Sequence, residues 1–317
     1  MIDHSFTQHE YAARLAKTRA EMANRGLDAL FVTDPSNMAW LAGYDGWSFY
    51  VHQGVLLTHE GQPVWWGRAM DSAGAQRTTY LDDDNIVGYD DTYVQNPDKH
   101  PMEDLARLIA DRGLENARIG FELDNYYFTA SAFLTLQTRL PGVNIQNATA
   151  LVNWQRAVKS PTELEYMRRA ARIVERMHEV IREKAEVGMR KNDLIADIYH
   201  ASVSGAEGHW GDYPACVPMT PSGLDATAPH ITWDDAPLRN NEGTFFEIAG
   251  AHRRYQCPQS RTLFLGKPPQ KYLHAENAVL EAIDAGLEQA KPGNRCEDIA
   301  RAFNTTLRNR GFEKDSR

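Results

Sequence analysis

The sequence is poor in cysteine: Cys216, Cys257 and Cys296 are its only three, and no two stand in a Cys-x-x-Cys spacing. That excludes a disulfide framework and a zinc cluster of the usual kind, and it suits a reducing cytoplasm. No apolar run approaches the roughly 18–20 residues that a membrane helix needs, so a soluble chain is expected. The first residues, Met1-Ile2-Asp3-His4-Ser5-Phe6, lack the basic-then-apolar pattern of a secretion signal. Dense runs of Lys or Arg are also missing, and the net charge is −9. A field of that sign repels nucleic acid and anionic membrane, and it tolerates a cationic or zwitterionic small molecule. What remains is globular composition, 42% hydrophobic and 24% charged over 317 residues. At roughly 100–200 residues per domain, two domains are expected.

Residues 8–25 predict an amphipathic helix with Tyr11, Leu15, Thr18 and Met22 on one face, stopped by Gly26. Strand-like segments follow at 27–32, 54–57, 63–66 and 118–122, with a helix over 102–112. This alternation points to a small α/β domain over 1–153. A second domain, 154–317, opens on Ser160-Pro161-Thr162-Glu163, a capping box with proline in the first turn. Leu164, Met167, Ala171, Val174, Met177 and Ile181 then recur at helical spacing. The stretch 185–194 returns as 290–299, with Ala, Gly, Arg and Asp at matching places between two helices. Strand-rich sequence follows the first copy and not the second, so the chain is expected to stop short of the strands that would complete a duplicated sheet.

The strand-rich part, 212–265, carries the candidate chemistry. Glu247 is a carboxylate within the apolar run 243–250, and an unpaired buried charge needs a partner or a task. Either Arg254 or Arg261 could make it a structural ion pair; otherwise it is available for catalysis. His230 closes a turn-rich loop, 218–230, as a hydrogen-bonded loop histidine or as an acid–base group.

Several motifs in order resemble the creatinase/prolidase/aminopeptidase P family. Residues 156–163 and 167–171 look like the entry to its pita-bread domain, Ser222-Gly223…Pro229-His230 like its substrate-histidine loop, and Ser260-Arg261-Thr262 like its strand-end motif. The resemblance implies an α/β N-terminal domain followed by an α+β pita-bread catalytic domain. Metal-dependent members carry Asp where Glu247 stands and a second Asp at the position of Pro258, which has no ligand atom. No metal and no other cofactor is therefore expected. Residues 33–53, 211–215 and 245–250 are similar to the metal-free ectoine hydrolases of that family.

The resemblance implies hydrolysis of ectoine, a zwitterionic cyclic amidine, to an N-acetylated diaminobutyrate in the cytoplasm. Glu247 would act as nucleophile or as base for a water, and His230 as its acid–base partner. Trp47, Tyr50, His52, Asp212, Tyr213 and Arg261 are the substrate-binding candidates, the first three by reaching a neighbouring subunit's site in a homodimer. A metal-dependent Xaa-Pro peptidase and a non-catalytic binding module are the alternatives.

Overall fold

The computed structural model describes residues 5–314, which form two compact units divided between Leu164 and Glu165. Unit 1 contains α1 (Gln8–Asn24), β1 (Ala29–Val32), α2 (Pro35–Ala42), β2 (Gly54–Thr58), β3 (Val64–Arg68), α3 (Ser72–Thr78), β4 (Ile86–Tyr89), α4 (Met102–Asp111), β5 (Arg118–Phe121), α5 (Ala130–Arg139), β6 (Asn144–Asn147) and α6 (Leu151–Arg156). Its strands lie in the order β4-β3-β2-β1-β5-β6. Pairs β1–β2 and β2–β3 are antiparallel and the others parallel. Buried apolar layers cover both faces, Leu30, Val32, Val55 and Trp65 on one and Phe31, Leu56, Trp66 and Phe121 on the other. Strands covered on both sides read as unbroken apolar runs, which is the pattern of β1 and β2.

α7 (Pro161–Lys184) begins on the expected capping box: Ser160 N donates to Glu163 Oε2 at 2.7 Å, and Glu163 N donates to Ser160 Oγ at 3.2 Å. Glu163 also accepts from the Trp40 indole at 3.0 Å, so this first turn belongs to unit 1.

Unit 2 continues α7 and adds α8 (Lys191–Ser204), β7 (Glu242–His252), β8 (Tyr255–Leu265), α9 (Gln270–Gln289) and α10 (Cys296–Asn309). The internal repeat is structural. Gly188 and Gly293 take the same left-handed φ, 96° and 95°, and Arg190 and Arg295 occupy the N-cap positions of α8 and α10. A positive φ is what glycine at these turns supplies. β7 and β8 form an antiparallel hairpin whose even-numbered β7 residues pack on α7, with Phe246 and Ile248 against Ile173, Val174 and Met177. Gly250 permits that approach, because a Cβ there would lie 2.3 Å from the Ala170 carbonyl oxygen. α9 leaves Leu273, Leu280, Ile283 and Leu287 exposed along one face.

Candidate active site

Side chains alternate along β7, so Gly243, Phe245 and Glu247 face away from α7. Backbone bonds hold the segment 219–222 along that strand. Met219 and Glu247 exchange N–H···O bonds of 3.0 Å in both directions, and Phe245 N donates to Pro221 O at 3.1 Å. A hydroxyl pair, Ser222 Oγ and Thr244 Oγ1, adds a contact of 2.8 Å. The chain then makes a short helical turn, Gly223–Thr227, and carries His230 back over the hairpin. His230 has φ of 63°, a conformation non-glycine residues seldom adopt. The product is a cleft of about 470 Å³ lined by Thr227, His230, Phe245, Glu247, Thr262 and Tyr272. Glu247 and His230, on a strand and on the loop before it, thus share one cavity.

Glu247 is half-buried and forms no ion pair among the described residues. Neither of the two arginines offered by the sequence reaches it. Arg254 Nη1 donates to Asp212 Oδ1 at 2.9 Å, and Arg261 pairs with Phe246 in the hairpin register, one residue out of phase with Glu247. The nearby Cys216 thiol is pushed up by burial and by the charge of Glu247, which disfavours its thiolate.

Asp212 has a structural task. The hairpin turns at Arg253 and Arg254 with positive φ at both, and the Asp212 carboxylate clasps that turn through the Arg254 amide at 3.1 Å and its guanidinium. The Arg254 guanidinium in turn lies 3.9 Å from the Tyr213 ring centre. Asp212, Tyr213 and Arg261, the other substrate-binding candidates, are not among the residues lining the Glu247 cleft.

Trp47, Tyr50 and His52 lie in unit 1. Trp47 and Tyr50 are exposed, with ring centroids 5.9 Å apart, and His52 stacks on His100 at 4.7 Å. Burial, with His100 adding to it, lowers the His52 pKa from 6.5 to about 4. An unfolded chain takes up that proton first as pH falls. The stabilisation is therefore fully present above pH 6.5 and lost progressively on the way down to about 4. Thermal melts of His52→Gln between those limits are expected to show a shallower loss of stability than the parent; parallel curves would remove His52 as a source of the acid sensitivity.

Sequence reasoning missed Tyr272. It stands in the first turn of α9, close enough that a Cβ on Gly243 would lie 3.3 Å from its ring, and it packs edge-on against Phe264 at 5.3 Å. Only the fold brings α9 over Gly243, so no local pattern announces it.

A dinuclear metal site needs several carboxylate or imidazole ligands on one face. Around Glu247 the hairpin offers Ser260 directly opposite and Pro258 diagonally across, beside Ala249. No group of three or more His, Cys, Asp or Glu side chains is placed to hold a metal ion among the described residues. The donors present among the described residues do not fit a pair of divalent ions.

Residues 165–317 match the model of metallopeptidase family M24, and residues 14–158 match that of the creatinase/prolidase N-terminal domain. The chain is 56% identical over 315 residues to an ectoine hydrolase of Halomonas elongata, covering 98% of this chain and 79% of that protein. It is 37% identical to an uncharacterized hydrolase/peptidase of Sinorhizobium fredii, over 98% of this chain and 80% of that one. Among solved structures, the prolidase of Thermococcus sibiricus superimposes with a TM-score of 0.81 at 17% identity, covering 95% of this chain and 78% of its own. The dipeptidase PepE of Mycobacterium ulcerans gives 0.78 at 23%, covering 96% and 78%. With an α/β N-terminal domain and an α+β pita-bread domain in that order, the chain belongs to metallopeptidase family M24, in its creatinase/prolidase form.

Proposed function

We propose that this chain is an ectoine hydrolase that opens its cyclic amidine substrate without a metal ion. The observation that carries this is the Glu247 cleft: a carboxylate with no ion pair among the described residues, an imidazole and aromatic rings line one cavity, on a hairpin whose second ligand position is Pro258. The 56% identity to an ectoine hydrolase supplies the substrate. A protonated amidine is already an electrophilic cation, so a divalent ion beside it would repel it where a carboxylate attracts it. Glu247 attacks the amidinium carbon or takes the proton of the water that does. His230 delivers a proton to the ring nitrogen as its bond to that carbon breaks. Water is added across one C–N bond, and an N-acetylated diaminobutyrate with a free amino group results.

The Tyr272 ring flanks the same cavity and can stack on the cation, a contact worth roughly 0.5–2 kcal/mol. Trp47, Tyr50 and His52 are assigned to the cleft of a second copy in a homodimer, which suits the exposure of the first two. No helix among the described residues is long and apolar enough to cross a membrane, and the free cysteines suit the cytoplasm.

The test is release of a primary amine from ectoine by the purified chain after dialysis against a chelator, with and without added manganese. Undiminished turnover in the chelated sample is expected, and no cleavage of an Xaa-Pro dipeptide in either. Metal-restored dipeptide cleavage would replace this function with peptidase chemistry.

A further inference from the structure

Behind the catalytic hairpin lies a second cleft, of about 440 Å³, between α7 and β8. It occupies the face opposite Glu247, where Arg261 and Gln259 stand across from Phe246 and Ile248. Three groups in it have unmet needs. His178 is 8% exposed, with the Gln259 backbone near its ring. Its Nε2 is buried with no hydrogen-bond partner among the described residues, and in the neutral tautomer protonated at Nδ1 that atom is an acceptor. Burial above all, with the charges of Arg261 and Arg182 adding to it, holds this imidazole below its ordinary pKa and so neutral. Among the described residues, Arg182 is exposed and has no carboxylate partner, and the Arg261 guanidinium bonds only the Ser260 carbonyl, at 2.7 Å. The rim carboxylates Glu175 and Glu179 are taken by Arg172 at 2.6 Å and Arg176 at 3.0 Å.

Two unpaired guanidiniums beside a buried lone pair define a ligand with oxygens bearing negative charge and one hydrogen to give. We propose that this cleft binds a small oxyanion carrying its own hydrogen-bond donor, with its oxygens on Arg182 and Arg261 and its O–H or N–H on His178 Nε2. Hydrogen phosphate has this chemistry. So has an N-acylated amino acid, which includes the product of the proposed reaction; that source alone rests on the function assigned above. The site is separated from Glu247 by the thickness of the hairpin, so its occupancy is read by binding and not by turnover.

The full chain, labelled with nitrogen-15 in histidine, is titrated separately with inorganic phosphate, N-acetyl diaminobutyrate and acetate. The His178 ring signals, assigned with His178→Gln, are followed. A saturable shift with phosphate, the acylated amino acid or both is expected, with acetate, which has no donor, binding roughly tenfold more weakly. The response to phosphate alone or to the acylated amino acid alone identifies the source. Arg182→Gln, a change on the exposed surface of α7 that spares folding, is expected to weaken binding by a similar factor. No saturable shift with either ligand, equal affinity for acetate, or unchanged affinity in Arg182→Gln overturns the proposal. None of these outcomes bears on ectoine turnover.

Discussion

Glu247→Gln is expected to lower ectoine turnover by about a thousandfold or more, because it removes the nucleophile or base while keeping the side chain's shape. Stability should hold, because Glu247 has no ion pair to lose among the described residues. The two readouts together separate a catalytic group from a structural one. A carboxylate that held the hairpin through an arginine would give a lower melting temperature and a modest loss of rate. The surrounding bonds predict the opposite, since Glu247 is fixed through its backbone to Met219 and its side chain is left to the cleft. Retention of more than about a tenth of the parent rate by a well-folded Glu247→Gln protein would take the residue out of the chemistry.

Local signals carried much of the fold. The helix expected over 8–25 occupies Gln8–Asn24, because the apolar positions Tyr11, Leu15, Thr18 and Met22 and the stop at Gly26 are all short-range features. The repeat was legible for a similar reason: a left-handed glycine with an arginine two residues on, at the N-cap position of the next helix, stands where each helix pair turns, at Gly188 and again at Gly293. β6 was not legible. Its sequence, Asn-Ile-Gln-Asn, forms a half-exposed edge with no apolar run, and only parallel pairing with β5 makes it a strand. α2 was hidden within a motif, although Asp34 caps it by accepting from the Asn37 amide at 3.0 Å.

At the site, residue type and context singled out Glu247 and His230, but the partners of Glu247 depended on register. Arg254 and Arg261 were equally plausible along the chain. The two-residue turn at Arg253 and Arg254 sets Glu247 opposite Ser260, which turns Arg261 to the other face, and Asp212 captures Arg254. A shift of one residue would have reversed every side chain of β8, and no feature of the strand's own composition fixes that choice. Tyr272 lay beyond reach for a different reason: it depends on where a separate helix comes to rest.

The largest stability effect is expected at Glu122→Ala. This carboxylate is 3% exposed and accepts from the Thr33 and Asp34 amides at 2.7 and 2.8 Å and from Asn37 Nδ2 at 2.6 Å. It thereby ties the end of β5 to the start of α2, while Asn37 Oδ1 receives the Arg156 guanidinium at 2.6 Å. Burial outweighs these donors and pushes the Glu122 carboxyl above the usual carboxylate range. Alanine leaves two backbone amides and one of the two Asn37 Nδ2 hydrogens without acceptors, the other staying on Asn153 Oδ1 at 2.9 Å, at a cost of about 3–5 kcal/mol. Glutamine restores one acceptor oxygen but turns an NH2 group toward other donors, so about 1–3 kcal/mol is expected there. Because Glu122 lies outside the Glu247 cleft, turnover per folded molecule should match the parent in both variants. Calorimetry with activity assays below the transition gives both quantities. An alanine variant losing under about 1 kcal/mol would mean that water replaces the carboxylate as acceptor at the β1–α2 turn.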